Sequence, residues 1–453
     1  MEWGLTEISS FPLNITSLNL ANSALIPLNG LRAFSQNITT LTSLNCSYKD
    51  SISTTDLLLI SDCFPLLEEL HLSKPAIFRG DFLSGMETLS LALPKLRKVN
   101  LSRHTYLNDQ LLFQLFNNWK LLEEVIIFES TGITDAGIAS ALRVRPTLRS
   151  LSFHNFFKSD NISTLFALIK SCTSLSDIKM ESPSDVTMKH TCMKEKNAEN
   201  SNSLVDLAVC PQLKSLSLAH NTWLSDENII IMFASIFPNL QLLDLSYCNQ
   251  VSNSLTREKI VENTNSSMEF VVNHQLKSLF LTRNTWLSDE NILMFASIFP
   301  NLQILDLSYC NQISDSICQV LRCCKLRHLN LAHCSKVKLR GLNFEVLKLE
   351  VLNLSYTGVD NEELYLISKS CRGLLQLLLE HCYYVTKRGV NHVVENCTQL
   401  REINLKNCYK VHKNIVDSMI LSRPSLRKIT VPPRYRFNNN KRELFLGHVC
   451  LLG

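Results

Sequence analysis

Cysteine and histidine are the residues of this chain with the means to do chemistry, and both recur at fixed intervals. Of its 16 cysteines, Cys248, Cys310, Cys334, Cys382 and Cys408 hold one place in a repeating pattern. Cys63, Cys172, Cys323 or Cys324, Cys371 and Cys397 hold another. A zinc site needs ligands clustered at C-x-x-C-type spacing. Cys318, Cys323 and Cys324 come nearest, without a histidine partner, so the expectation is no metal and no cofactor. The thiols then serve as small apolar side chains packed between turns. Histidines such as His104, His154 and His220 fall one per repeat and do not converge on a pocket. With no G-x-S-x-G, H-E-x-x-H or phosphate-binding loop in the chain, no catalytic residue is expected.

A second series has binding chemistry. One place per repeat is filled by His220, Tyr247, Arg283, Tyr309, His333, Tyr356 and His381. Tyr, Arg and His combine large contact area with a polar end, the composition of interface hot spots. The N-terminal repeats have Lys74, Arg103, Glu129 and Asn155 there. The expected partner is therefore a protein, bound along repeats eight to fourteen.

The elements that must position these residues follow from the pattern L-x-x-L-x-L. Its first positions are Ile15, Leu41, Leu67, Leu96, Leu122, Leu148, Leu175, Leu213, Leu240, Leu276, Leu302, Leu326, Leu349, Leu374, Leu400 and Leu426. Those sixteen starts lie 23 to 29 residues apart, except for gaps of 38 after Leu175 and 36 after Leu240. The fourth and sixth positions are two apart, so they share one face of a strand. A helical stretch follows, as in Asp135–Leu142. Thr134, Ser225, Ser288, Ser314 and Thr386 stand where a side-chain oxygen can accept a helix's first free N–H groups. Pro65, Pro94, Pro146, Pro238, Pro300 and Pro424 mark the return to the next strand. One repeat cannot bury its own apolar side, so neighbours must stack. The predicted fold is an α/β solenoid: a leucine-rich-repeat horseshoe with a concave parallel β-sheet and outer helices. The third, fifth, seventh and eighth positions would face a partner on the concave face or rim.

Composition agrees. The net charge is +4, from 45 basic and 41 acidic residues, a near-balance that argues against nucleic acid or an acidic membrane as partner. No stretch approaches the length of a membrane span, and the first residues lack a secretory pattern. Reduced thiols fit a cytoplasmic or nuclear protein. The Asn-x-Ser sequons at Asn45, Asn100 and Asn353 lie inside the strand code and are read as accidental.

The repeat reads L-x-x-L-x-L-x-x-C-x-x-[IV]-[ST]-D-x-x-[IL], closing in C-x-x-L, and Leu302–Leu326 and Leu374–Leu400 are its clearest examples. It resembles the cysteine-containing class of leucine-rich repeat, typical of F-box/leucine-rich-repeat proteins and especially plant ones. The resemblance covers residues 15–431. It implies the substrate-recognition part of an SCF-type ubiquitin ligase, acting in ubiquitin-dependent protein degradation. Residues 1–14 form a short lead in which no F-box is expected. A Skp-type adaptor would thus bind only if an F-box is supplied upstream, and the alternative is a ubiquitin-independent interaction protein.

Residues 212–250 and 275–312 are nearly identical, each with Asn-Thr-Trp-Leu-Ser-Asp-Glu-Asn-Ile. A tandem copy of about 195–256 onto 258–318 explains both long gaps at once. Polar inserts at about 181–203 and 253–266 would leave from the rim. Residues 432–453 form a basic tail expected to fold back over the last repeat. Its final Cys450-Leu451-Leu452-Gly453 has C-a-a-X form but a poor last residue for prenylation.

Overall fold

The structure, a computed structural model, describes residues 2–11, 13–154, 162–181, 209–221, 224, 227–249, 271–435 and 451–452. The chain divides into two bodies, Met1–Leu216 and Ser217–Gly453. In both, each repeat contributes one short strand to a parallel sheet, in register with the next repeat. In the N-terminal body the fourth positions align as Leu18, Leu44, Leu70, Val99, Val125, Leu151 and Ile178. In the C-terminal body they align as Leu243, Leu279, Leu305, Leu329, Leu352, Leu377, Ile403 and Ile429. All of these side chains are buried except Leu18 in the first repeat, which is half-buried. Burying each contributes about 2 kcal/mol, and the strict register follows because a one-residue slip would turn the whole column to solvent.

Helices pack behind the sheet in the manner the sequence predicts. The helices Thr54–Cys63, Phe82–Ala92, Asp135–Val144, Glu227–Ile236, Asp289–Ile298 and Ile415–Ser422 each end two residues before one of the six prolines. Thr134 accepts from the Gly137 amide at 3.0 Å, Ser288 from Asn291 at 3.3 Å and Thr386 from Arg388 at 3.3 Å.

Four details differ from the sequence expectation. Ser314 does not cap a helix: its amide donates to Asp289 Oδ1 at 2.8 Å and its hydroxyl to Oδ2, while the helix Ile317–Cys323 starts later without a side-chain cap. The twelfth repeat, from Leu326, has turns in place of a helix, because its 23 residues leave too little chain for one. A helix Glu2–Ser9 lies in the lead, packs on Leu28–Asn37 and buries Leu5. In the N-terminal body, Ser51–Ser53 and Ile77–Arg79 pair as a separate small sheet.

At the other end, Leu451–Leu452 pairs in parallel with Lys428–Ile429. Thus a piece of the tail adds a strand beyond the sixteenth repeat. Both polar inserts, apart from Glu181, fall outside the described residues, as do Asn155, Ser225, Arg436, Lys441, Arg442 and Cys450.

Candidate functional site

The strand register extends two residues past each strand, and that extension builds the site. The eighth-position amide donates to the seventh-position carbonyl of the next repeat: His220 to Ser246 at 2.9 Å, Arg283 to Ser308 at 2.8 Å, Tyr356 to Glu380 at 2.7 Å. To turn toward the helix there, the backbone enters the left-handed region. His220, Tyr247, Arg283, Tyr309, His333, Tyr356 and His381 have φ between 57° and 64°. This conformation costs a residue with a Cβ about 1–2 kcal/mol. No glycine or run of asparagines announces it in the sequence.

Because successive turns superimpose, these seven side chains meet. His220 stacks on Tyr247 with ring centroids 4.4 Å apart. The Arg283 guanidinium lies over both Tyr247, at 5.4 Å, and Tyr309, at 4.4 Å. Tyr309 stacks on His333 at 4.0 Å, His333 on Tyr356 at 4.1 Å, and Tyr356 on His381 at 4.3 Å. The structure thus joins all seven expected site residues into one unbroken stack. Their ring faces are turned on one another, and their edges carry the hydroxyls and ring nitrogens. Tyr247 and Tyr356 remain 37% and 40% exposed to solvent. Burial, then the charges of Arg283 and His381, lower the His333 pKa and favour its neutral form.

Both neighbouring positions have jobs inside the fold. Fifth-position Asn and Asp accept the seventh-position amide of their own repeat: Asn45 from Ser47, Asn100 from Ser102, Asp306 from Ser308, Asn353 from Ser355, all at 2.9–3.0 Å. The three sequons are therefore turn-forming pairs of the strand end. Ninth-position side chains donate to the sixth-position carbonyl of the preceding repeat. Cys310 reaches Leu281 at 3.1 Å, Cys334 reaches Leu307 at 3.0 Å, and Cys382 reaches Leu354 at 3.1 Å. In other repeats His104, Ser130 and Asn284 make the same bond, and so does Lys49, buried with its pKa lowered by that burial. Any small or slender donor serves, which accounts for the cysteines without chemistry. Burial pushes the thiols of Cys248, Cys310, Cys334 and Cys408 up to about 12, far from a nucleophile's range.

Sequence reasoning missed some members of the surface. Tyr48 shares the eighth position, with Lys74 over its ring at 5.2 Å. Asn407, also left-handed, extends the stack's end by bonding His381 Nε2 at 2.7 Å. Tyr383, Tyr384 and Tyr409 are more than half exposed beside it. The doublet Tyr383-Tyr384, with a third tyrosine one repeat on, was the available signal. Among the described residues no three potential metal ligands stand together, and no helix is long and apolar enough to cross a membrane.

No family model and no curated protein matches the chain. It is similar to a chain in the crystal structure of the Rad7 and Elc1 complex in yeast, with a TM-score of 0.49 and 16% identity over 86% of this chain and 89% of that one. It is also similar to a chain in the crystal structure of the TLR13–ssRNA13 complex, with a TM-score of 0.51 and 19% identity over 92% of this chain. It spans 59% of that chain's length. The fold is that of a leucine-rich-repeat α/β solenoid.

Proposed function

We propose that the protein is a protein-binding leucine-rich-repeat module whose partner docks on the edges of the stack from His220 to His381. The observation that carries this is the stack itself: seven Tyr, His and Arg side chains in consecutive contact, partly exposed, at a position that accepts other residues elsewhere in the chain. Rigid, pre-stacked rings lose little conformational freedom on binding, which favours affinity. Replacing Tyr309, His333 and Tyr356 together with alanine should abolish binding of the native partner while the fold persists. Unchanged affinity would overturn the proposal.

The repeat class supports a finer reading, the substrate-recognition part of an SCF-type ubiquitin ligase in the cytoplasm or nucleus. Pull-down with a Skp-type adaptor tests it, using this chain and a version extended upstream in its gene. Binding by the extended version alone is the expected result. If no upstream F-box is encoded and neither version binds, the chain is a ubiquitin-independent interaction protein.

A further inference from the structure

The charge at one place in the repeat changes sign along the chain. The fourteenth position of a repeat is aspartate in Asp109, Asp135, Asp289 and Asp315. Three of them open helices, where a carboxylate suits the positive end of the helix dipole. Asp109 and Asp289 also tie neighbouring repeats together: Asp109 accepts from the Thr134 amide at 2.7 Å and Asp289 from the Ser314 amide at 2.8 Å. Asp315 accepts from the Lys338 amide at 2.9 Å. In the fourteenth and fifteenth repeats the same position is Lys387 and Lys413.

Lys387 opens the helix Lys387–Asn396, whose first turn has no acid at all. The preceding repeat serves this helix end with the neutral Asn361, which accepts from the Thr386 amide at 3.0 Å and the Gly389 amide at 3.1 Å. Lysine at this position opposes the helix dipole that aspartate favours.

Around these lysines the surface has one character. Residues 381–394 and 403–416 contain no Asp or Glu. Tyr383, Tyr384 and Tyr409 are exposed, and Lys410 lies over the Tyr384 ring at 5.2 Å. Among the described residues Lys387, Lys410 and Lys413 form no ion pair, whereas neighbouring Lys406 and Lys428 pair with Glu380 and Glu402. The Tyr383 hydroxyl meets His381 Nδ1 at 3.0 Å, so the patch continues the stack.

We propose that this rim, formed by Tyr383, Tyr384, Tyr409, Lys387, Lys410 and Lys413, binds an acidic peptide segment of the protein partner. Unpaired lysines and a helix N-terminus supply positive potential for carboxylates, and the tyrosines supply apolar contact between them. Single-stranded nucleic acid would stack its bases on open ring faces. Here Tyr384 carries Lys410, and Tyr383 and Tyr409 face one another at 6.2 Å with planes 11° apart, which favours a peptide. The inference shares with the proposed function the idea of a protein partner, but it concerns different residues.

Fluorescence anisotropy of the whole chain with a labelled peptide of Glu and Gly tests it, against the same peptide with Gln and a labelled oligouridine of equal length. The Glu peptide should bind, more weakly as salt rises, and the Gln peptide should not. Replacing both lysines by the residue found there in Asp109 and Asp289, Lys387→Asp with Lys413→Asp, should weaken the Glu peptide by about tenfold or more, without lowering the melting temperature. The Tyr309→Ala/His333→Ala/Tyr356→Ala variant should bind it as the unaltered chain does, so a failure of the stack leaves this result standing. Equal binding of the Glu and Gln peptides, equal affinity in the lysine variant, or tighter binding of oligouridine would overturn the proposal.

Discussion

The eighth position is built twice in this molecule, with one backbone and two kinds of side chain. In the N-terminal body Asn22, Tyr48, Lys74, Arg103 and Glu129 have φ between 54° and 65°, the same left-handed turn as the stack from His220 to His381. Their amides make the same inter-repeat bonds: Tyr48 to Ser73 at 2.9 Å, Arg103 to Phe128 at 2.7 Å. Yet among the described residues the N-terminal side chains meet in pairs, Lys74 over Tyr48 and Arg103 with Glu129 at 2.6 Å. The solenoid therefore requires the turn and leaves the side chain free. An unbroken stack of rings and one guanidinium in one body and a row of separate pairs in the other is a difference the fold does not demand.

Five measurements would break or sharpen that contrast. The shared scaffold gives the largest effect. Leu70→Ala in the N-terminal body and Leu352→Ala in the C-terminal body, each 0–1% exposed, should both cost about 2–5 kcal/mol in denaturant unfolding. A large cost in one body alone would mean that the repeats are not equivalent.

Acid should act on the N-terminal body through His104. Burial lowers its pKa from 6.5 to about 4. Between those values the unfolded chain binds a proton that the folded chain refuses. The stabilisation is thus full above pH 6.5 and lost as pH falls toward 4, on the order of 3 kcal/mol over the window. His104→Asn should remove this slope from a pH series of unfolding midpoints.

Asn284 fills the ninth position in the C-terminal body, bonding the Leu245 and Leu281 carbonyls and the Cys248 amide at 2.9–3.1 Å. Asn284→Ala leaves those groups unpaired and should cost about 1–3 kcal/mol.

Smaller effects separate the two rows themselves. Tyr309→Ala should cost about 0.5–1.5 kcal/mol, the stacking contribution of an aromatic pair. Lys74→Ala should fall below about 0.5 kcal/mol, as exposed charges do. Equal costs would make the stack a structural device. Last, Lys387→Asp should stabilise the chain by about 0.3–1 kcal/mol by restoring an acid to the helix N-terminus, a gain visible as a raised melting temperature.

Much of the fold was legible in the sequence because burial writes itself as periodicity. Leu44 and Cys46, or Leu305 and Leu307, must be apolar to be covered by the next repeat, and Pro146 or Pro300 ends a helix through its ring. The site was legible only in outline. Its residue types were visible at a fixed spacing, but φ near 60° in His333 or Tyr356 is imposed by the stacking of repeats and leaves no local mark. The ninth position misled for a related reason: Cys382, His104 and Asn284 differ as letters and perform one task, donating to a carbonyl the turn leaves open. The missing helix of the twelfth repeat was foreshadowed by its 23-residue length. Lys387 becomes meaningful only beside Asp109 and Asp289, whose bonds to the next repeat the sequence does not display.

The most direct test compares the two rows as binding surfaces. Two variants, Tyr309→Ala/His333→Ala/Tyr356→Ala and Tyr48→Ala/Lys74→Ala/Arg103→Ala, are used with the unaltered chain to co-purify partners from the same extract, quantified by mass spectrometry. A partner retained by the unaltered chain and by the N-terminal variant should be lost from the stack variant. Retention by the stack variant, with its fold intact, would contradict it.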